Sequence, residues 1–132
     1  MYQLSTKKRL DMNTITTQTT HKKTDFGDVW YANSTDSSFR FAIYRYYDDY
    51  DTIYLSNVFV SEENRGKGYG NCILDATDSV AKGMGAKMIG LKVKKGSFAH
   101  QWYGRHGYSN LTDDEENPQF VWMTKSVEKY KP

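Results

Sequence analysis

Residues Val58 to Leu74 read Val-Phe-Val-Ser-Glu-Glu-Asn-Arg-Gly-Lys-Gly-Tyr-Gly-Asn-Cys-Ile-Leu. An apolar strand runs into a loop with glycine at every second position, Gly66, Gly68 and Gly70, and the loop opens a helix. Glycine permits close approach and unusual φ/ψ, so backbone N–H groups of such a loop can converge on a phosphate. The helix start adds free N–H donors and the positive end of the helix dipole. A phosphorylated cofactor is therefore the first expectation.

Three glycine-rich loops compete for this stretch. A P-loop needs Gly-x-x-x-x-Gly-Lys-Ser/Thr. Here Lys67 lies between Gly66 and Gly68, and no Ser or Thr follows it. A dinucleotide fingerprint needs Gly-x-Gly-x-x-Gly. Counted from Gly66, its third glycine falls on Asn71, and the next strand, near Met88 to Val93, has no acid to hold a ribose. The remaining pattern is Arg/Gln-x-x-Gly-x-Gly/Ala, matched by Arg65, Gly68 and Gly70. It resembles the pyrophosphate loop of the GNAT superfamily, the acyl-CoA-dependent N-acetyltransferases. Downstream, Ala99, Tyr103, Gly107 and Tyr108 give Ala-x-x-x-Tyr-x-x-x-Gly-Tyr, similar to that family's later helix. Two departures stand out. Glu62 sits where proline commonly follows the strand, and Gly96 replaces an expected Asn. The resemblance covers about Ile53 to Thr124. A plain glycine-rich strand–helix turn is the other reading of the loop taken alone.

At 132 residues the chain is one domain with room for a single core. A formal charge of +2 is too small to imply nucleic acid. Aromatic residues make up 15%, with 11 tyrosines, which favours sheet and cleft surfaces. The one cysteine, Cys72, excludes an internal disulfide framework and reads as a small core residue. No apolar run suits a signal or a membrane span, so no membrane partner and a cytoplasmic location are expected. No metal-ligand set is assigned.

Residues 1–11, with Lys7, Lys8 and Arg9, are expected to be a disordered basic N-terminal segment, and 12–132 a single domain. Asn13 to Lys23 is Thr-rich and reads as a weak first strand. Val29 to Asn33 is a short strand. Phe39 to Tyr47 alternates, with Phe39, Phe41, Ile43 and Arg45 on one side and Arg40, Ala42, Tyr44 and Tyr46 on the other. Asp48 to Asp51 closes a hairpin into the central strand, Thr52 to Val60, and reads as a solubilising turn. Gly68 to Gly83 is a helix with Tyr69, Ile73, Ala76 and Val80 on its buried stripe. Lys87 to Val93 is a strand. Ser97 caps a helix through His106. A short strand, an acidic connection over Asn110 to Asn117 and a last strand, Gln119 to Thr124, complete the order.

The resemblance implies an α+β, GNAT-like fold: a mixed, mostly antiparallel sheet with two main helices. The family's N-terminal helices are reduced or absent here, because too few residues precede Trp30. Those helices wall one side of the acceptor site in the family. This chain should therefore have an open acceptor cleft, or complete it as a homodimer.

The resemblance also implies a site. Acetyl-CoA is the cofactor, its pantetheine lying along Val58, Phe59 and Val60 as an added strand. The pyrophosphate takes N–H groups of the loop Arg65, Gly66, Lys67, Gly68, Tyr69, Gly70 and Asn71. Arg65 and Lys67 either add charge there or are solvated loop cations. A backbone N–H near Val58 stabilises the oxyanion. Tyr103 protonates the departing sulfur, or packs beside Trp102. His100 and His106 read as helix residues. The central strand holds no carboxylate, and no general base is assigned, although a water relay through Tyr54 or Ser56 is open. Asp113, Asp114, Glu115 and Glu116 should lie near the reactive end. They either attract a cationic amine, such as a small polyamine or a protein lysine, or form a solvated charge run. The expected activity is acetyl transfer to a primary amine. A silent acyl-CoA-binding module and a modifier of a macromolecular partner are the rivals.

Overall fold

A computed structural model of the chain describes residues 17–127. The basic segment 1–11 and residues 13–16 of the Thr-rich stretch lie outside them. The strands are β1 (Thr17–Lys23), β2 (Gly27–Ser34), β3 (Phe39–Tyr46) and β4 (Thr52–Val60). A 3₁₀ turn (Glu62–Asn64) leads to α1 (Tyr69–Gly83), then β5 (Met88–Lys94), α2 (Phe98–Arg105), β6 (Ser109–Asp113) and β7 (Phe120–Ser126). The seven strands form one sheet in the order β1-β2-β3-β4-β5-β7-β6. Only β4 and β5 pair in parallel. The α+β architecture with two helices is the expected one. Among the described residues no helix precedes β4, and none is long and apolar enough to cross a membrane.

Local chemistry explains the turns. Thr24 Oγ1 accepts the N–H of Gly27, closing the β1–β2 turn. Gly27 is required there because a Cβ would strike the carbonyl of Arg45 across β3. Ser34 Oγ accepts the N–H of Phe39 at 3.0 Å, closing the β2–β3 turn. Arg45 donates to the carbonyls of Tyr50 and Met84, tying the next hairpin to the end of α1.

The alternation in β3 holds. Phe39, Phe41 and Ile43 are buried with Ile53 and Leu55 of β4, Ile89, Leu91 and Val93 of β5, and Val121 and Met123 of β7. Both helices join this one cluster, α1 through Tyr69, Ile73, Leu74, Val80 and Ala81, and α2 through Tyr103. Cys72 is buried on α1, as a core residue should be. Thr77, also fully buried, donates its hydroxyl to the carbonyl of Ile73. Both helices therefore cover the same face of the sheet. The other face carries Tyr44, Tyr54 and Trp122, and no helix among the described residues covers it.

Three details differ from the sequence reading. Gly68 is the N-cap of α1 rather than its first residue. The stretch 110–117 is not a plain connection, because Ser109–Asp113 pairs with β7 as an edge strand. All five of its residues are exposed, so it lacks the apolar alternation that marks a strand in sequence. The Asp48–Asp51 turn does more than solubilise. The charge of Asp49 bears on the Tyr54 phenol, and the Asp51 carbonyl accepts from Lys87 and Met88 at the start of β5.

Ile89 is fully enclosed at the centre of the core. Ile89→Ala should cost about 2–5 kcal/mol of unfolding free energy, the range for deleting buried branched side chains. Leu111→Ala, on the exposed edge strand, should change stability by less than about 0.5 kcal/mol. Urea unfolding with an unchanged m-value checks both.

Candidate active site

Strand β4 carries the main distortion of the sheet. Its register against β3 shifts between Arg40↔Phe59 and Ala42↔Ser56, so β4 holds one extra residue. Asn57 sits in that bulge with φ 55°. A bulge bends its strand. Correspondingly, β4 pairs with β5 only over Thr52↔Met88, Ile53↔Ile89 and Tyr54↔Gly90. Beyond Tyr54 the two strands part, while β5 stays paired with β7 as far as Lys94.

The parted strands join two clefts. The first, of about 630 Å³, lies between the outer half of β4, the glycine loop and α2. Val58, Phe59, Val60, Arg65, Gly66, Gly68, Gly70 and Asn71 line it, which gathers most of the loop residues expected from the sequence. Two expected residues do not present side chains there. Tyr69 turns into the core against Phe39, with ring centroids 5.5 Å apart, so only its backbone remains for a ligand. Lys67 reaches instead to Asn64 Oδ1 at 3.5 Å.

Backbone geometry explains the glycines. Gly66 and Gly68 have φ of 79° and 91°, the left-handed region that side chains resist. Gly70 is helical, and a Cβ on it would lie 2.9 Å from the Trp102 ring. No side chain caps α1, which leaves first-turn N–H donors such as those of Gly70 and Asn71 to a ligand or water. Arg65 folds back, its Nε donating to the Val60 carbonyl at 3.1 Å. That contact occupies one lone pair at the edge expected to pair with pantetheine.

The far wall comes from α2. Ser97 caps it by accepting the N–H of His100 at 3.1 Å. Gly96, where the resemblance called for Asn, has φ 74° and donates its N–H to His100 Nδ1. Phe98 and Trp102 line the cleft. His106 bridges Asn71 Oδ1 and the Trp102 carbonyl at 2.9 and 2.8 Å, joining the start of α1 to α2. Both histidines thus act as helix-end residues.

The second cleft, of about 560 Å³, opens on the uncovered face. Tyr44, Tyr46, Tyr54, Ser56, Asn57, Lys92 and Trp122 form its rim and walls. Tyr54 makes edge contacts with Tyr46 and Trp122, with centroids 5.4 and 5.9 Å away. It lies across Gly90, where a Cβ would meet its ring at 2.8 Å. The two clefts share Val58, Ala99 and Tyr103. Burial pushes the Tyr103 phenol up to about 12, so it holds its proton at neutral pH. Burial, followed by the nearby Asp49 charge, also raises Tyr54. No carboxylate lines this cleft among the described residues.

The four acids lie at the end of the sheet where β4 and β5 part, Asp113 closing β6 and the other three following it. They line a separate depression that meets the second cleft only at Trp122. Asp113 pairs with Lys95 at 2.7 Å. Asp114 accepts from Trp122 Nε1 at 3.0 Å and stands 3.9 Å from Lys92. Glu115 and Glu116 are exposed.

A family profile described as an acetyltransferase (GNAT) domain matches residues 25–110. The chain belongs to the GNAT acetyltransferase family. That family's chemistry is acetyl transfer from acetyl-CoA, and the match spans both the bulged β4 and the glycine loop. Over 60 residues this GNAT chain is 38% identical to YobR, an uncharacterized N-acetyltransferase of Bacillus subtilis. That stretch covers 45% of the chain and 24% of YobR, so the chain spans about a quarter of that relative. Nourseothricin acetyltransferase shares the fold at TM-score 0.65 and 15% identity, with 85% of each chain covered. A GNAT family acetyltransferase from Elizabethkingia anophelis, with acetyl-CoA bound, gives TM-score 0.61 at 17% identity over 76% of each chain.

Sequence reasoning missed Asn57, Lys92, Phe98, Trp102 and Trp122 as cleft residues. Asn57 had a signal, since Asn inside an apolar strand tolerates the left-handed region and marks a bulge. Tyr44, Tyr46, Tyr54 and Trp122 come from three strands and meet only in the sheet.

Gly70→Val should push Trp102 off α1 and narrow the first cleft. CoA affinity measured by calorimetry should fall by at least about 1–3 kcal/mol, the scale of lost buried hydrogen bonds. Unchanged affinity in a folded variant would remove the loop from the cofactor site.

Proposed function

We propose that this chain moves the acetyl group of acetyl-CoA to a primary amine, either a small cationic amine or a protein lysine. The observation that carries the reading is the meeting of the two clefts at Val58, Ala99 and Tyr103. A cofactor held on one side of the sheet edge can there meet an acceptor arriving from the other.

Bound in the first cleft, acetyl-CoA supplies an activated acyl carbon and a thiolate leaving group. Val58, Phe59 and Val60 offer strand edge to its extended arm. Arg65, Gly66, Gly68, Gly70 and Asn71 would hold its phosphates, with backbone from Lys67 and Tyr69. A β4 N–H near Val58 would hold the oxygen that gains charge. Tyr103, kept protonated by burial, is suited to give a proton to the sulfur. Tyr54 is a poor base because its phenol is raised. The acceptor's proton therefore passes to water near Tyr54 and Ser56.

Glu115 and Glu116 are exposed and, unlike Asp113 and Asp114, stand in no ion pair with a lysine among the described residues, and they would draw a cationic acceptor toward the open face. Asp113 and Asp114 shape that rim through their lysine partners. The uncovered tyrosine face accommodates a large acceptor or a second copy of the chain. A single buried cysteine suits a reducing cytoplasm. The lack of a carboxylate in the second cleft favours one rival, a silent acyl-CoA-binding module. Thiol release from acetyl-CoA with a panel of amines separates the two, and release with none of them would favour the rival.

Tyr103→Phe should lower kcat on the order of 10²-fold while leaving CoA affinity nearly intact. Stopped-flow and calorimetry on the same variant make the split, and equal kcat values would assign Tyr103 to packing. Glu115→Gln with Glu116→Gln should raise KM for spermidine at low salt. Each exposed pair is worth about 0.2–1 kcal/mol, so the rise is up to about fivefold per charge. The effect should fade as salt shortens the Debye length to about 8 Å and below. Matching KM values at low salt would make the loop a solvated charge run.

A further inference from the structure

We infer that Lys92 is itself an acetyl acceptor, so that the chain acetylates its own side chain when no other amine competes. This rests on the acetyl transfer proposed above. The last β4–β5 pair is Tyr54↔Gly90. Side chains alternate along a strand, so Lys92 is the next residue of β5 on the same face as Gly90. It stands where the strands part, in the cleft that also holds Ser56 and Asn57. That cleft reaches the cofactor side through Val58, Ala99 and Tyr103. Among the described residues no other lysine lines it.

Lys92 is a primary alkylamine, the chemistry the reaction consumes. Its side chain is 43% exposed and loosely held, with Nζ 3.9 Å from Asp114 Oδ2. The rings of Trp122 and Phe120 lie 5.4 and 5.9 Å from it. At 3.9 Å the pair is long, and ring contacts to a part-exposed ammonium contribute about 0.5–1 kcal/mol each, so the flexible stem can leave them. Three other described lysines stand elsewhere. Lys125 is tied to Asp78 at 3.1 Å on the helix-covered face. Lys87 sits beside Asp51 at the opposite end of β5. Lys95 lies past the end of β5 and outside the cleft, beside Asp113.

The step balances without any further reactant. The ammonium first gives one proton to water. Nζ then forms a C–N bond to the acyl carbon while the C–S bond breaks. Tyr103 passes its proton to the sulfur and regains one from the new amide nitrogen. The products are acetyl-lysine, free CoA thiol and one proton in solvent.

The test incubates the full chain with acetyl-CoA and no amine, and follows intact mass and peptide fragmentation. The expected result is one acetyl group, on Lys92, at a rate per molecule that does not change with protein concentration. Tyr103→Phe should slow it on the order of 10²-fold. Lys92→Arg should show no mass gain yet bind CoA as the parent does. Acetylation spread over exposed lysines such as Lys82 and Lys87, equal in parent and Tyr103→Phe, would overturn the inference. So would an unmodified Lys92 in protein that releases thiol with spermidine, and that outcome leaves the acetyltransferase reading standing. Neither modification nor thiol release with any amine would remove both.

Discussion

Asn57 holds a φ of 55° inside the longest strand of the sheet. A non-glycine residue in that region costs roughly 1–3 kcal/mol, and the cost persists only when the surroundings impose it. Here β3 imposes it from one side, since its pairs with β4 resume beyond the bulge at Arg40↔Phe59 and Phe39↔Val60. Strand β5 cannot follow the bend because β7 pairs with it along its whole length. The parting of β4 from β5 is thus a conflict between two well-made antiparallel pairs, β3–β4 and β5–β7. Both clefts, and the contact between them, depend on it.

The placement of the helices gives the parting a direction. Both pack on one face, and the contact of Trp102 with Gly70 brings them together over the outer end of β4. The hydrogen bonds of His106 to Asn71 and to the Trp102 carbonyl hold that junction. The first cleft therefore has rigid walls on three sides. Apart from Ala99 and Tyr103, the second is walled by strand residues and is rich in tyrosine. Tyr103 lies where the two meet, and burial keeps its phenol protonated.

Much of this was legible in the chain. The glycine spacing after Val60 identified the loop because only backbone geometry demands such a pattern. The alternation in β3 and the stripe on α1 fixed the helix-covered face. Ser97 marked the start of α2. Strand β6 was hard to read because it buries nothing. The role of Trp102 was hidden because its partner, Gly70, is far away in sequence and has no side chain to advertise the contact. The tyrosine face was equally hidden. Each of its residues looks like an ordinary outward position until β3, β4 and β7 are laid side by side. Lys92 and Asp114 gave no signal of proximity either, since their closeness is a product of the β5-β7-β6 order.

Gly90 has a consequence for how such a site can change over generations. The floor of the second cleft is the ring of Tyr54, and it lies flat only because position 90 carries no side chain. A single methyl group there would tilt the ring and make the hollow shallower. The glycine loop, a sheet-length away, would be untouched. The two clefts are thus lined by nearly separate sets of residues, joined at Val58, Ala99 and Tyr103, and on the proposed function these sets would divide acceptor from donor recognition. A lineage can alter the shape of what it modifies by one small substitution while inheriting its cofactor handling intact.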